Sequence, residues 1–246
     1  MSRSLTESIP YTVPAHIYTC VADSGVVVLD ARRGKYSIVP AAGARALTSV
    51  VRGWPVLPSP CEGEQMPDEP RPSLLNTLLR SGIIVRGDAI QRFEGHAIAD
   101  TAKEALLDSF SSHHKPKVSA RGIAAFLCSA GYAHGLLRYR RFDTLLGHLR
   151  SRKANRTSWQ EASITKVRDL VTVFVWLRPF CYGETNACLF DSVALTDFLY
   201  RQRIFPELVI GVRTRPFAAH SWVQHRGFVL NSIPDYLTSY TPILSI

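Results

Sequence analysis

The chain of 246 residues has no long apolar run. The longest stretch, 170–177, falls well short of the roughly 20 residues needed to span a bilayer and suits a buried helix. The opening Met1-Ser2-Arg3-Ser4 leads into no apolar signal core, so the expectation is a cytoplasmic protein without membrane association. Cysteines are few and odd in number, at positions 20, 61, 128, 181 and 188. An odd count without an export signal argues against a disulfide framework. No two cysteines have the close spacing of a zinc knuckle, and the eight histidines do not complete one, so no metal site is expected. A glycine-rich phosphate loop is also missing, which argues against a nucleotide site or any other cofactor. Internal repeats and low-complexity segments are absent.

What remains suits a folded protein: 46% hydrophobic and 20% charged residues can bury a core. The length fits one large domain, or a small one followed by a medium one. The net charge of +9 favours acidic or polyanionic partners in a general way. The basic residues form no stripe, however. Arg138, Arg140 and Arg141, with Arg150, Arg152 and Lys153, read as solvated helix faces, so nucleic acid is not the expected partner.

Along the chain, 16–21, 26–29 and 35–39 read as three short strands with turns at Asp23-Ser24-Gly25 and Asp30-Ala31-Arg32-Arg33-Gly34. Pro40 stops the third, and 41–51 is helical in composition. A proline-rich loop follows, then a helix over 74–80 with Ser73 as N-cap and Gly82 at its end. Residues 83–85 make a last strand. This pattern predicts a small winged-helix-like domain over 1–90, a shape shared with many DNA-binding modules. From 97 the text turns helical, with segments at 97–110, 118–149 (broken near Gly131 and Gly135) and 158–176. A helix over 186–203, a strand over 208–212 and a hairpin of 219–224 with 228–230 complete a second domain over 97–246. The predicted class is α+β.

The hairpin and the last helix carry the candidate chemistry. Cys188 falls in the first turn of the helix, where unpaired amides and the helix dipole favour a thiolate. Its own amide can donate to an oxyanion. His220 follows 32 residues later on a strand. A thiol at a helix start facing a strand histidine is the papain-type order of nucleophile and general base. Taken singly, a helical cysteine is more often packing than chemistry, and a histidine before a tryptophan is usually structural.

Two longer stretches carry more weight. Ala187-Cys188-Leu189-Phe190-Asp191-Ser192-Val193-Ala194-Leu195 resembles the nucleophile helix of the lasso-peptide B proteins. Val209-Ile210-Gly211-Val212-Arg213-Thr214-Arg215-Pro216-Phe217-Ala218-Ala219-His220-Ser221-Trp222-Val223 resembles their histidine strand, and Tyr240-Thr241-Pro242-Ile243-Leu244 their tail. The resemblance implies a papain-like or transglutaminase-like cysteine peptidase that removes a leader from a ribosomally made precursor. It also implies a partner, an asparagine-synthetase-like cyclase. The N-terminal text, Val28-Leu29-Asp30 through Gly34-Lys35-Tyr36 and Pro40-Ala41-Ala42-Gly43, is similar to the small pyrroloquinoline-biosynthesis chaperone that is fused ahead of such peptidases. An extended leader would then add as a strand along Lys35, Tyr36, Ser37 and Ile38, with the helix at 73–80 as the other wall.

One position departs from the family, which has aspartate twelve residues after the histidine where this chain has Ser232. That aspartate orients the imidazole. The hairpin leaves three substitutes open. A three-residue loop, His225-Arg226-Gly227, pairs 220 with 232 and sets Ser232 opposite His220. A two-residue turn, Arg226-Gly227, pairs 220 with 233 and turns Asn231 and Asp235 to the His220 side. The departure also motivates a rival reading, a leader-binding carrier with an inactive peptidase domain. A winged-helix regulator is a third. Bland readings serve the rest: Cys181 as structural, Trp222 as packing near the site, Arg213 and Arg215 as substrate contacts or solvated charges, and His225 as solvated.

Overall fold

The computed structural model describes residues 11–58, 70–87, 102, 104–107, 116–154, 162–182 and 188–246. It divides into two compact units, Met1–His96 and Ala97–Ile246.

In the first unit, β1 (Tyr11–Thr12) is followed by β2 (Ile17–Ala22), β3 (Gly25–Asp30) and β4 (Lys35–Pro40). The last three form an antiparallel meander in the order β2-β3-β4. Central β3 is buried along its whole length, as its unbroken Gly-Val-Val-Val-Leu run requires. The β3–β4 turn is built by Asp30, whose Oδ1 accepts from the amides of Arg32 at 2.9 Å and Arg33 at 3.1 Å. Gly34 then takes φ +63°, a conformation glycine adopts without steric cost. Helix α1 (Ala41–Leu47) is shorter than 41–51, because Val51–Arg52 forms β5 and pairs in parallel with β1. Helix α2 (Pro72–Ser81) starts earlier than expected. Arg71 is its N-cap and Pro72 its first residue, which leaves Ser73 inside the helix. A proline at that position is already set at helical φ and has no amide to leave unpaired. Gly82 ends α2 in the left-handed conformation, as expected. The last strand is β6 (Val85–Arg86), antiparallel to β1, while Ile83 and Ile84 enter the core with Val26, Val28, Leu47, Trp54 and Leu78.

The second unit departs from its predicted helices in two places. Over 97–110 the described residues hold strand β7 (Glu104–Ala105), which pairs in parallel with the far end of the sheet; most of that predicted helix lies outside the described residues. Here the free edge of a sheet outweighs helical composition. The helix expected over 118–149 is two, α3 (Ala120–Tyr139) and α4 (Phe142–Ala154). The break comes at Arg140, which caps α3 in an extended conformation, and not at Gly131 or Gly135. Each of those glycines costs about 1 kcal/mol relative to alanine, too little to end a helix with a buried face. Helix α5 (Ile164–Leu177) starts at Ser163, whose hydroxyl accepts from the Lys166 amide at 3.3 Å.

Helix α6 (Cys188–Arg201) is the centre of this unit, and every residue from Asp191 to Tyr200 is buried. Its polar residues are partnered accordingly. Asp197, fully buried, is paired with Arg152 of α4 and with Arg201 at 2.6 Å, so Arg152 is not the solvated residue its sequence context suggests. Each arginine takes a different carboxylate oxygen, so removing either leaves one oxygen of a buried charge without its guanidinium. Strands β8 (Glu207–Thr214), β9 (Phe217–His225) and β10 (Phe228–Val229), helix α7 (Pro234–Leu237) and β11 (Thr241–Ser245) follow. The sheet runs β11-β8-β9-β10-β7. Phe126, Phe174 and Phe198 join α3, α5 and α6 through ring contacts of 5.3 and 5.6 Å. No helix among the described residues is long and apolar enough to cross a membrane.

Candidate active site

Cys188 is the first residue of α6 and is half-buried. Residue 186, where the helix is expected to open, lies outside the described residues. One turn on, Ser192 lies on the same side of the helix, and its hydroxyl donates to the Ser221 carbonyl at 3.1 Å. That bond docks the Cys188 end of α6 on β9, next to the residue that follows His220.

His220 pairs across the sheet with Gly211 of β8. A Cβ at Gly211 would stand 2.8 Å from the Trp222 indole and 3.1 Å from the Tyr240 Cβ, so the missing side chain makes room for the aromatic wall around the imidazole. Trp222 is stacked 6.3 Å from His220, Tyr236 meets it at 5.3 Å and 88°, and Tyr240 lies at 5.5 Å. The two tyrosine hydroxyls are bonded to each other at 2.8 Å. Burial among these rings lowers the His220 pKa below its ordinary value. Tyr240 itself sits among polar neighbours. Its phenol is pushed up to about 12, first by burial, then by the Tyr236 hydroxyl, with the Cys188 charge adding and Arg213 opposing. The Arg213 guanidinium lies 5.4 Å over the Tyr240 ring.

The three candidate third members separate cleanly. The hairpin takes the two-residue turn, with Phe228 opposite His225 and Val229 opposite Gln224, and Arg226 and Gly227 both at positive φ. That register was expected to favour Asn231 and Asp235, yet the residue on the imidazole is Ser232, with Oγ 3.2 Å from Nε2. The ladder ends at Val229 and the chain bends through 230–232, so the strand alternation behind the expectation no longer holds there. Asn231 turns the other way. Its carbonyl accepts from the Val223 amide at 2.8 Å, and its amide donates to Asp191 at 2.9 Å and Ser192 at 3.1 Å. Asp235 is exposed in α7.

Ser232 engages Nε2, and Nδ1 is the other ring nitrogen. Tyr236, Tyr240 and Asp191 were missed by the sequence reading. The signal for Asp191 was a lone charge in an otherwise apolar helix start. The four-residue spacing of the two tyrosines was the signal for the aromatic wall. Cys181, read as structural, is exposed. Cys20, 128, 181 and 188 are free, and no group of residues able to hold a metal occurs among the described residues. In the first unit, Lys35, Ser37 and Ile38 are exposed and Tyr36 is half-buried along β4, which lies at the edge of its sheet.

Residues 132–245, which include Cys188, His220 and Ser232, match the transglutaminase-like superfamily. That match covers a little under half of the chain, and the likeness is of this region alone. The chain is also similar to the microcin J25-processing protein McjB of Escherichia coli, 44% identical over 59 residues. That similarity spans 24% of this chain and 28% of the relative's length. No solved structure matches.

Proposed function

We propose that the chain is a thiol hydrolase that binds the leader of a ribosomally made lasso-peptide precursor and cuts it from the core. The observation that carries this reading is the hydrogen bond between Ser232 Oγ and His220 Nε2, inside a region similar to the transglutaminase-like superfamily whose central helix opens with Cys188. With the Nε2 hydrogen donated to Ser232, Nδ1 presents its lone pair and takes the thiol proton as sulfur attacks the scissile carbonyl. Amides in the first turn of α6 lack helical partners and stabilise the oxyanion. His220 returns the proton to the departing amine, which frees the core. Water, deprotonated by the same imidazole, then releases the leader as its carboxylate.

The first unit would act as a winged-helix-like recognition element, the leader adding as a strand on β4 along Lys35, Tyr36, Ser37 and Ile38. An exposed edge with an apolar Ile38, 40% accessible, supports that reading. The freed core amine would pass to a cyclase of the asparagine-synthetase type. The similarity to a microcin-processing protein supports a peptide as substrate.

The test is incubation of the full chain with the precursor peptide encoded beside it, with and without the cyclase, read by mass spectrometry. A single cut that is lost in Cys188→Ala while peptide binding persists is the expected result. An intact precursor in both conditions, despite measurable binding, would make the chain a carrier. The neutral Ser232 is the observation that keeps this second reading in view.

A further inference from the structure

Several stretches of the second unit converge on one buried carboxylate that the chemistry above leaves without a role. Asp191 stands three residues after Cys188 and is 6% exposed. Its Oδ1 accepts from the Tyr182 hydroxyl at 2.9 Å. Its Oδ2 accepts from the Asn231 amide at 2.9 Å and lies 3.6 Å from the Arg178 guanidinium. A carboxylate out of water persists only when it is paired and hydrogen-bonded. Here the partners come from the segment just before α6 and from the bend that bears Ser232.

That bend needs holding. The Leu230 amide still bonds to the Val223 carbonyl at 2.8 Å, but the strand ladder has ended. From there the chain is tied through the Asn231 side chain, to the β9 backbone at Val223 on one side and to α6 at Asp191 and Ser192 on the other. The next residue is Ser232. We propose that Asp191 is the positioning residue of the Cys188–His220 pair: through Asn231 it holds Ser232 against the imidazole, and through α6 it fixes the turn that bears the thiol. This rests on the hydrolase reading above. A neutral serine stands on the imidazole, and a carboxylate on the helix of Cys188 holds that serine in place.

The experiment follows alkylation of Cys188 by iodoacetamide as a function of pH in the full chain, by peptide mass spectrometry, alongside melting temperature and the kcat and KM of precursor cleavage. Asn231→Ala is expected to move the alkylation profile and to lower kcat by up to about fivefold, with KM within about twofold, since misplaced groups cost turnover more than binding. Asp191→Asn moves the profile the same way. The Asn231→Ala/Ser232→Ala double variant is no worse than the worse single one, because the first acts through the second. Tyr182→Phe, which removes one partner and leaves the rest, gives a smaller shift in the same direction and serves if the other variants fail to fold. Multiplicative losses in the double variant, or an unmoved profile in Tyr182→Phe and Asn231→Ala, would overturn the proposal. A wild type that cuts no precursor while its profile still responds to Asn231→Ala sinks the hydrolase reading alone. A profile that His220→Ala leaves unmoved overturns both.

Discussion

Replacing Ser232 tests how much of the histidine's work depends on a neutral partner. The bond to Nε2 is 3.2 Å long, at the weak end for its type. A neutral hydrogen bond contributes about 0.5–1.5 kcal/mol and a charged one about 1.5–3 kcal/mol. Ser232→Ala should therefore cost about 1 kcal/mol of transition-state stabilisation, roughly fivefold in kcat. Ser232→Asp should gain about 1–1.5 kcal/mol over the hydroxyl as the imidazolium forms, roughly five- to tenfold. Residue 232 lies in a bend beyond the ladder and is only half-buried. Burial lowers the His220 pKa, and a carboxylate on Nε2 raises it again, so the pH at which the imidazolium loses its proton must rise in Ser232→Asp. The assay is precursor cleavage across pH together with the histidine's titration by NMR. A Ser232→Asp variant that folds, but leaves both the histidine titration and kcat at wild-type values, would refute the assignment of Ser232 to the imidazole.

Gly211→Ala places a methyl 2.8 Å from a fully buried indole that has nowhere to go, and should cost about 1–3 kcal/mol by overpacking. A lowered melting temperature with weaker cleavage is the expected pair of results. The second unit should also lose stability in acid through His220. Its folded pKa is depressed, so the unfolded chain binds more protons below about 6.5. The contribution is complete above that pH and is lost as pH falls toward the folded pKa. His220→Gln should therefore lose less melting temperature between pH 7 and 5 than the wild type.

Elements with strong local signals were legible in the sequence. The meander follows from turn residues at 23–25 and 30–34 and from the valine run of β3, and its register is continuous in both ladders. Gly82 marked the end of α2 and the Cys188 helix was readable from its apolar text. What failed depended on distant partners. Glu104–Ala105 is a strand because β10 offers it an edge, and Val51–Arg52 leaves α1 because β1 does the same. No local composition reports such edges. Arg152 looked solvated because its partner, Asp197, lies 45 residues away on another helix. The cysteine and histidine are singled out by helix-start chemistry and family resemblance together, and spacing alone does not pick them out.

The third member shows where a register argument stops. Alternation along β9 and β10 predicts facing residues only while the ladder lasts, and this one ends at Val229. Three residues further on, the bend reverses the assignment: Ser232 meets the imidazole and Asn231 meets Asp191. The consequence is electrostatic. A histidine walled by Trp222, Tyr236 and Tyr240 and bonded to a hydroxyl lacks the carboxylate that would hold it charged, and burial pushes it toward the neutral form. A neutral imidazole is a base in waiting. On the proposed reading it takes up the thiol proton as sulfur attacks, which makes the rate depend on how accurately Cys188 and His220 are held. That dependence gives the proposed Asp191–Asn231 tie its weight.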